Sequence, residues 1–362
     1  MLLNKVCYLV KQMGWEVMVV TTDQHGRAPF YPFPKEVRMM DLGINYSDNN
    51  SSGALKKICG YFVKRRLHKQ RLTELLRREK ADVVVSLYPS ESSFIPSIND
   101  GSKKVLELHY NKFFRLQYNR SGLLGFIDRF RTWQDERIVR SFDKFVVLTM
   151  EDKGYWGTLH NIEVIPNAAL QTEDVCAADT DAKRVIAVGR LDYQKGFDRL
   201  VDAWRIVQHT GQYSEWHLDI FGQGEWEDML RGRIKEYGLT SSVTINSPTK
   251  MIGQEYANSS MLVMSSNYEG FPMVMIEAMA AGLPIVSFDF KCGPRDIITH
   301  GVDGFIVPNG DIYALAQSMM QLMSNSVMRR SMGLKAQKIT QTYSETIVMG
   351  KWLDLFMQLT SI

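Results

Sequence analysis

The segment Arg184-Val185-Ile186-Ala187-Val188-Gly189-Arg190-Leu191-Asp192-Tyr193-Gln194-Lys195-Gly196-Phe197 opens as a strand. After Arg184 its run is continuously apolar and rich in β-branched residues, the pattern of a strand covered on both faces. The strand ends at Gly189, and a helix begins near Gly196-Phe197. In open parallel sheets, ligands bind outside the carboxyl ends of the strands. Arg190 and Lys195 therefore place two cations where a phosphate group would sit, or they belong to a solvated loop.

Apolar runs of the same kind recur on either side, at residues 15–22, 37–42, 82–87, 104–109, 144–149 and 163–166, and then at 216–221, 243–245, 261–265, 284–288 and 305–307. Helical spacing fills the intervals, chiefly 54–80 and 122–141. Strands alternating with helices predict α/β architecture, with two parallel doubly wound sheets. Residues 170–182 (LQTEDVCAADTDA) are polar and aperiodic and read as a linker. A terminal helix with a Trp352/Phe356 face is expected over 343–362.

A second loop carries chemistry at Tyr268-Glu269-Gly270-Phe271-Pro272-Met273-Val274-Met275-Ile276-Glu277-Ala278. It follows the strand at 261–265, and Pro272 suits the start of a helix. The amides from Gly270 to Val274 would face a ligand at that helix N-terminus, where the dipole favours phosphate. Glu269 lies in the loop and Glu277 two turns into the helix, so the two carboxylates can reach different parts of one extended ligand; alternatively Glu277 is a surface glutamate. Phe221-Gly222-Gln223-Gly224 follows another strand and reads best as a tight turn, and Gly293-Pro294 with Asp303-Gly304-Phe305 adds another turn on the same side.

In order and spacing these pieces resemble the family 4 glycosyltransferases, retaining nucleotide-sugar enzymes of the two-domain GT-B type. The resemblance runs through Gly189-Arg190-Leu191, Lys195-Gly196, Gly222-Gln223-Gly224, Glu269-Gly270-Phe271-Pro272, Glu277-Ala278-Met279, Gly282-Leu283-Pro284, Gly293-Pro294 and Gly304-Phe305. It covers nearly all of residues 184–310, and the first half carries fewer diagnostic residues. It implies a donor site of Gly189, Arg190, Lys195, Glu269, Gly270, Phe271, Pro272, Met273, Val274 and Glu277. Arg190 and Lys195 would bind the pyrophosphate, Glu269 the sugar hydroxyls, Glu277 the ribose, and the Phe271–Val274 amides the sugar and phosphate. The base would lie near Ser247-Pro248-Thr249-Lys250, and Asn167 would stand at the hinge. His109, at the end of the strand Val105-Leu106-Glu107-Leu108-His109, would face the transferred sugar; an ordinary core or loop histidine is the plainer reading. No Asp-x-Asp pair stands at a plausible strand end. The implied chemistry uses no metal and no cofactor, the nucleotide sugar being a substrate, and Arg190, Lys195 and the helix at Pro272 would stabilise the leaving diphosphate.

Composition is that of a globular protein. The 362 residues suit two domains at roughly 150 residues each, and 45% hydrophobic with 23% charged residues excludes a disordered or fibrous chain. The expected division is 1–167, an acceptor-binding domain; 168–342, the donor-binding domain; and 343–362, a helix crossing back to the first domain. The net charge of +3 hides an asymmetry, because residues 1–167 hold 26 Lys+Arg against 18 Asp+Glu and the remainder 17 against 22. Cys7, Cys59, Cys176 and Cys292 are scattered, which fits a reduced, cytoplasmic setting. No apolar run nears the ~20 residues a spanning helix needs, and the first residues lack the pattern of a signal peptide.

The expected partners are a UDP-type sugar donor and a glycan or lipid-linked acceptor of surface polysaccharide synthesis. The basic amphipathic stretch 56–80, extended by Phe113, Phe114 and Arg115, offers an anionic membrane surface for peripheral contact, or simply a solvated helix face. Nucleic acid is not an expected partner. The chain opens on a helix where a doubly wound domain opens on a strand, so the first strand and its loop are expected to be missing. That leaves a second reading, a truncated, non-catalytic sugar-nucleotide-binding protein; a nucleotide-sugar epimerase is a more distant third.

Overall fold

The computed structural model describes residues 2–49, 53–116, 120–169 and 178–360, without the side chains of 49 and 54–57. Residues 170–177 of the expected linker, Cys176 among them, and the side chains of Lys56 and Lys57 lie outside the described residues. The N-terminal half runs α1 (Leu2–Lys11), β1 (Met18–Thr21), β2 (Arg38–Asp41), α2 (Ala54–Glu79), β3 (Val83–Leu87), β4 (Lys103–Glu107), α3 (Gly122–Val139), β5 (Lys144–Val147), α4 (Met150–Tyr155) and β6 (Ile162–Val164). The C-terminal half continues with β7 (Arg184–Val188), α5 (Phe197–His209), β8 (His217–Phe221), α6 (Glu227–Glu236), β9 (Val243–Asn246), α7 (Ile252–Ala257), β10 (Met261–Met264) and α8 (Met273–Ala280). It closes with β11 (Ile285–Phe288), α9 (Pro294–Ile297), β12 (Gly304–Val307), α10 (Ile312–Ser324), α11 (Ser326–Ala336), α12 (Ile339–Tyr343) and α13 (Glu345–Thr360). All twelve expected strands are present, and every strand pairing is parallel.

The C-terminal sheet has the order β12-β11-β10-β7-β8-β9. Numbered within the domain this is 3-2-1-4-5-6 read from the β9 edge, the dinucleotide-fold order, whose ligand crevice opens where the strand order reverses. That point lies between β7 and β10, the two strands that feed the Lys195 and Glu269 loops. Val185, Ile186 and Ala187 of β7 and Met261, Leu262 and Val263 of β10 are fully buried, as strands covered by helices on both faces must be. Glycines let the flanking loops close: a Cβ on Gly222 would lie 1.9 Å from the Gly189 carbonyl oxygen, and one on Gly224 2.3 Å from that of Leu191. The Gly-x-Gly after β8, expected as a tight turn, instead packs closely on the β7 loop, where the Leu191 amide donates to the Gln223 carbonyl at 3.0 Å.

In the N-terminal half the strands fall into two pieces. β3-β4-β5-β6 form one sheet, and β1 and β2 pair only with each other. Among the described residues no strand pairing joins these two sheets. α1 is closed beyond Lys11 by Gly14, whose φ of +66° and the bond from the Trp15 amide to the Leu9 carbonyl (3.1 Å) form a glycine stop. Val348, Met349, Trp352 and Phe356 of α13 share one core with Leu9, Val105, Val146 and Ile165. The last helix thus packs on the N-terminal sheet.

α2 uses much of its basic character internally. Lys64 donates to the Asn45 carbonyl, Arg65 to Ser93, Lys69 to Ser97, and Arg71 to the carbonyls of Leu42 and Gly43. Its Leu72, Leu75 and Leu76 lie in the core beneath.

Candidate active site

The loops after β7 and β10 are laced together before any side-chain chemistry is considered. The Asn267 amide donates to the Gln194 carbonyl (2.7 Å), Ser265 Oγ to the Lys195 carbonyl (3.0 Å), and Arg199 to the Ser265 carbonyl. Gly189 has no side chain because the Lys195 stem needs its place: a Cβ there would lie 2.7 Å from Lys195 Cε. The lysine is thereby aimed across the crevice. Its Nζ meets Glu269 Oε1 at 2.6 Å, with the two side chains 13% and 7% exposed. Ser266 Oγ donates to the same oxygen at 2.8 Å and Gln194 Nε2 to the other at 2.9 Å. Three donors thus satisfy a buried carboxylate, as burial of a charge requires.

The Glu269 loop leads into α8, with Pro272 in the cap position and no side-chain cap; the Met273 amide donates to the Phe271 carbonyl and that of Met275 to the Pro272 carbonyl, both at 3.0 Å. Phe271 and Pro272 are buried and Met273 and Val274 half-buried. Gly293 backs this corner, since a Cβ on it would come 2.4 Å from Pro272 Cδ. Glu277 lies further along α8 and accepts from the Tyr256 hydroxyl at 3.2 Å. Burial pushes its carboxyl above the usual range, countered by that bond and by Lys195. Arg190 stands apart: its side chain is 70% exposed, ion-paired to Asp192 at 3.2 Å and bonded to Gln194 Oε1 at 2.9 Å. It reaches the Lys195–Glu269 pair only through Gln194. Ser247-Pro248-Thr249-Lys250 follows the edge strand β9 and is largely exposed, and Asn167 lies on the stretch that follows β6.

The opposite wall comes from the loop after β4. The His109 carbonyl presses on Gly270, where a Cβ would lie 2.1 Å from its oxygen. Two residues on, the buried Asn111 donates from Nδ2 to the Glu269 carbonyl at 2.8 Å. His109 Nε2 lies 3.3 Å from Glu107 Oε1, and Lys5 Nζ lies 2.6 Å from Glu107 Oε2. Burial alone would push the Glu107 carboxyl up; Lys5 and His109 outweigh it and hold the group at about 2. The halves also meet at α4, where Asp296 Oδ1 accepts the Met150 amide at 2.7 Å, its Oδ2 accepts that of Glu151 at 3.4 Å, and Glu151 Oε2 accepts the Cys292 amide at 2.8 Å.

The depressed Glu107 group makes a pH prediction. A carboxylate held below its unfolded value contributes stability above that value and loses it as pH falls toward the folded one. Acid unfolding between about pH 4.5 and 2 is therefore expected to be shallower in Glu107→Gln than in the parent, as followed by circular dichroism. Identical acid profiles would show that the carboxylate is not held this way.

Of the expected residues, Lys195, Glu269, Gly270 and His109 converge, Gly189 clears the lysine's path, Glu277 lies deeper along α8, and Arg190 stays at the rim. Gln194, Ser266, Asn111 and Tyr256 complete the site without having been singled out by sequence. Only Gln194, adjacent to Lys195 in the loop, carried a usable signal.

Residues 172–339 match the family described as glycosyl transferases group 1. The amylovoran biosynthesis glycosyltransferase AmsD of Erwinia amylovora is 37% identical over 59% of this chain, a match spanning 62% of that protein. An uncharacterized glycosyltransferase of Haemophilus influenzae is 27% identical over 97% of this chain and 93% of its own length. Among solved structures, the sucrose-phosphate synthase from Thermosynechococcus elongatus superposes with a TM-score of 0.79 at 18% identity, covering 99% of this chain and 92% of its own. The fold is that of the GT-B glycosyltransferases. Among the described residues no helix is long and apolar enough to cross a membrane.

Proposed function

From a C-terminal half that matches the group 1 glycosyl transferases, we propose that the chain is a retaining glycosyltransferase of family 4. It would transfer a hexosyl group from a nucleotide sugar, UDP-linked by preference, to a glycan or lipid-linked saccharide of a surface polysaccharide. The observation that carries the reading is the buried Lys195–Glu269 pair at the strand-order reversal, opposite His109. The Lys195 ammonium and the N-terminal end of the α8 dipole supply positive potential where a leaving diphosphate gathers charge. Arg190 adds a cation from the rim. Glu269 accepts hydrogen bonds from sugar hydroxyls, and Glu277 reaches the ribose. With these groups in place the departure needs no metal ion.

The test is turnover against a panel of nucleotide sugars with glycan and polyprenyl-linked acceptors, reading the product's anomeric configuration by proton NMR. Transfer with the donor's configuration kept, and unaffected by chelator, is expected. An inverted product, or activity lost to chelator and restored by a divalent ion, overturns the corresponding part. Donor binding with no transfer to any acceptor returns the non-catalytic reading.

A further inference from the structure

α3 is built inside out. The residues it buries are Gly125, Asp128, Thr132, Asp135 and Val139, a regular inward stripe with only one sizeable apolar member. The stripe is held by polar contacts: Arg115 bridges Asp135 and the Tyr88 hydroxyl, and Thr132 Oγ1 donates to the Asp128 carbonyl at 2.9 Å. The outward face carries Leu123, Leu124, Phe126, Ile127, Phe130 and Trp133, which are 75%, 58%, 67%, 38%, 51% and 46% exposed. A helix covering a sheet in water shows the reverse pattern, and contiguous exposed apolar surface marks an interaction site.

The charges on that face narrow the partner. Arg129, Arg131, Arg137 and Arg140 are exposed, and the Arg137 guanidinium lies 3.9 Å over the Trp133 ring. The helix's own acids are withdrawn: Asp128 and Asp135 are buried, and Glu136 is paired with Lys112 at 2.6 Å. A two-fold contact between copies would set these arginines against each other, which like-charge repulsion opposes. An anionic bilayer interface meets both features, taking the apolar ridge among the acyl chains and the arginines among the headgroups.

We propose that α3 docks the protein on anionic lipid. The inference rests on the helix alone and not on the transferase reading.

Flotation of the full chain with vesicles of phosphatidylcholine, with or without phosphatidylglycerol, tests it. The parent is expected to float with the anionic vesicles, less so as salt rises. Phe126→Asp with Phe130→Asp lowers the partition at least about tenfold by removing the buried apolar surface, with the melting temperature kept. Arg129→Gln with Arg131→Gln lowers it about tenfold on anionic vesicles only, and serves as the second probe should the Asp variant fold poorly. No flotation on anionic vesicles, or partition unchanged in both variants, overturns the proposal. So does a parent that self-associates without binding lipid and becomes monomeric in the Phe variant.

Discussion

Lys195→Ala is expected to lower turnover by about 10²–10³, the usual loss when one preorganised group at a site of developing charge is removed. The protein should remain folded, because Glu269 keeps its bonds from Ser266 and Gln194. Glu269→Gln removes the negative charge that faces the same ammonium and should cost a comparable factor. The pair is in direct contact, so the double variant should fall well short of the product of the two losses. Arg190→Ala, touching the pair only through Gln194, should cost less than Lys195→Ala. The measurement is kcat with the best donor and acceptor pair, alongside thermal unfolding. A purified Lys195→Ala protein turning over at the parent rate would remove the central role of this pair.

Gly270→Ala is the second large effect, and it acts through distance rather than charge. The new methyl would lie 2.1 Å from the His109 carbonyl oxygen and 2.9 Å from its carbon. Both are backbone atoms of the opposing half, so no rotamer can relieve the contact. The loops must separate by about an ångström, and misplacement on that scale costs roughly 10² in rate. Expected is a fall of that size in kcat/KM, with donor affinity by calorimetry little changed, since Lys195 and Glu269 stand in the same half. A Gly270→Ala protein of unaltered rate would show that the close approach of His109 is not part of the reacting arrangement.

The sheets were legible because parallel strands covered on both faces leave continuous apolar runs, such as Val185-Ile186-Ala187-Val188 and Met261-Leu262-Val263. Lys195 and Glu269 were legible because each is a charged residue in a short loop after such a run. Asn111 and Ser266 were not, since a side chain that holds a carbonyl 158 positions away, or shares a lysine's carboxylate, is defined by juxtaposition and not by its neighbours in the chain. The Lys5–Glu107 contact spans 102 positions and is hidden for the same reason, although a glutamate inside an otherwise apolar strand was a hint. For α3 the spacing revealed a helix but not its facing: the apolar residues look outward, and the buried positions carry Asp128, Thr132 and Asp135.

Asp296 belongs to one half of the molecule, yet its carboxylate receives the leading amides of α4 in the other, while its carbonyl receives the Tyr343 hydroxyl at 2.9 Å. A helix that borrows its start from across a boundary is a gauge of that boundary. If the halves part, the Met150 and Glu151 amides return to water and the first turn of α4 loosens, while Thr149 still holds Asp152 at 3.0 Å. Any such parting would be read in the hydrogen exchange of two adjacent amides, a local gauge of the whole boundary.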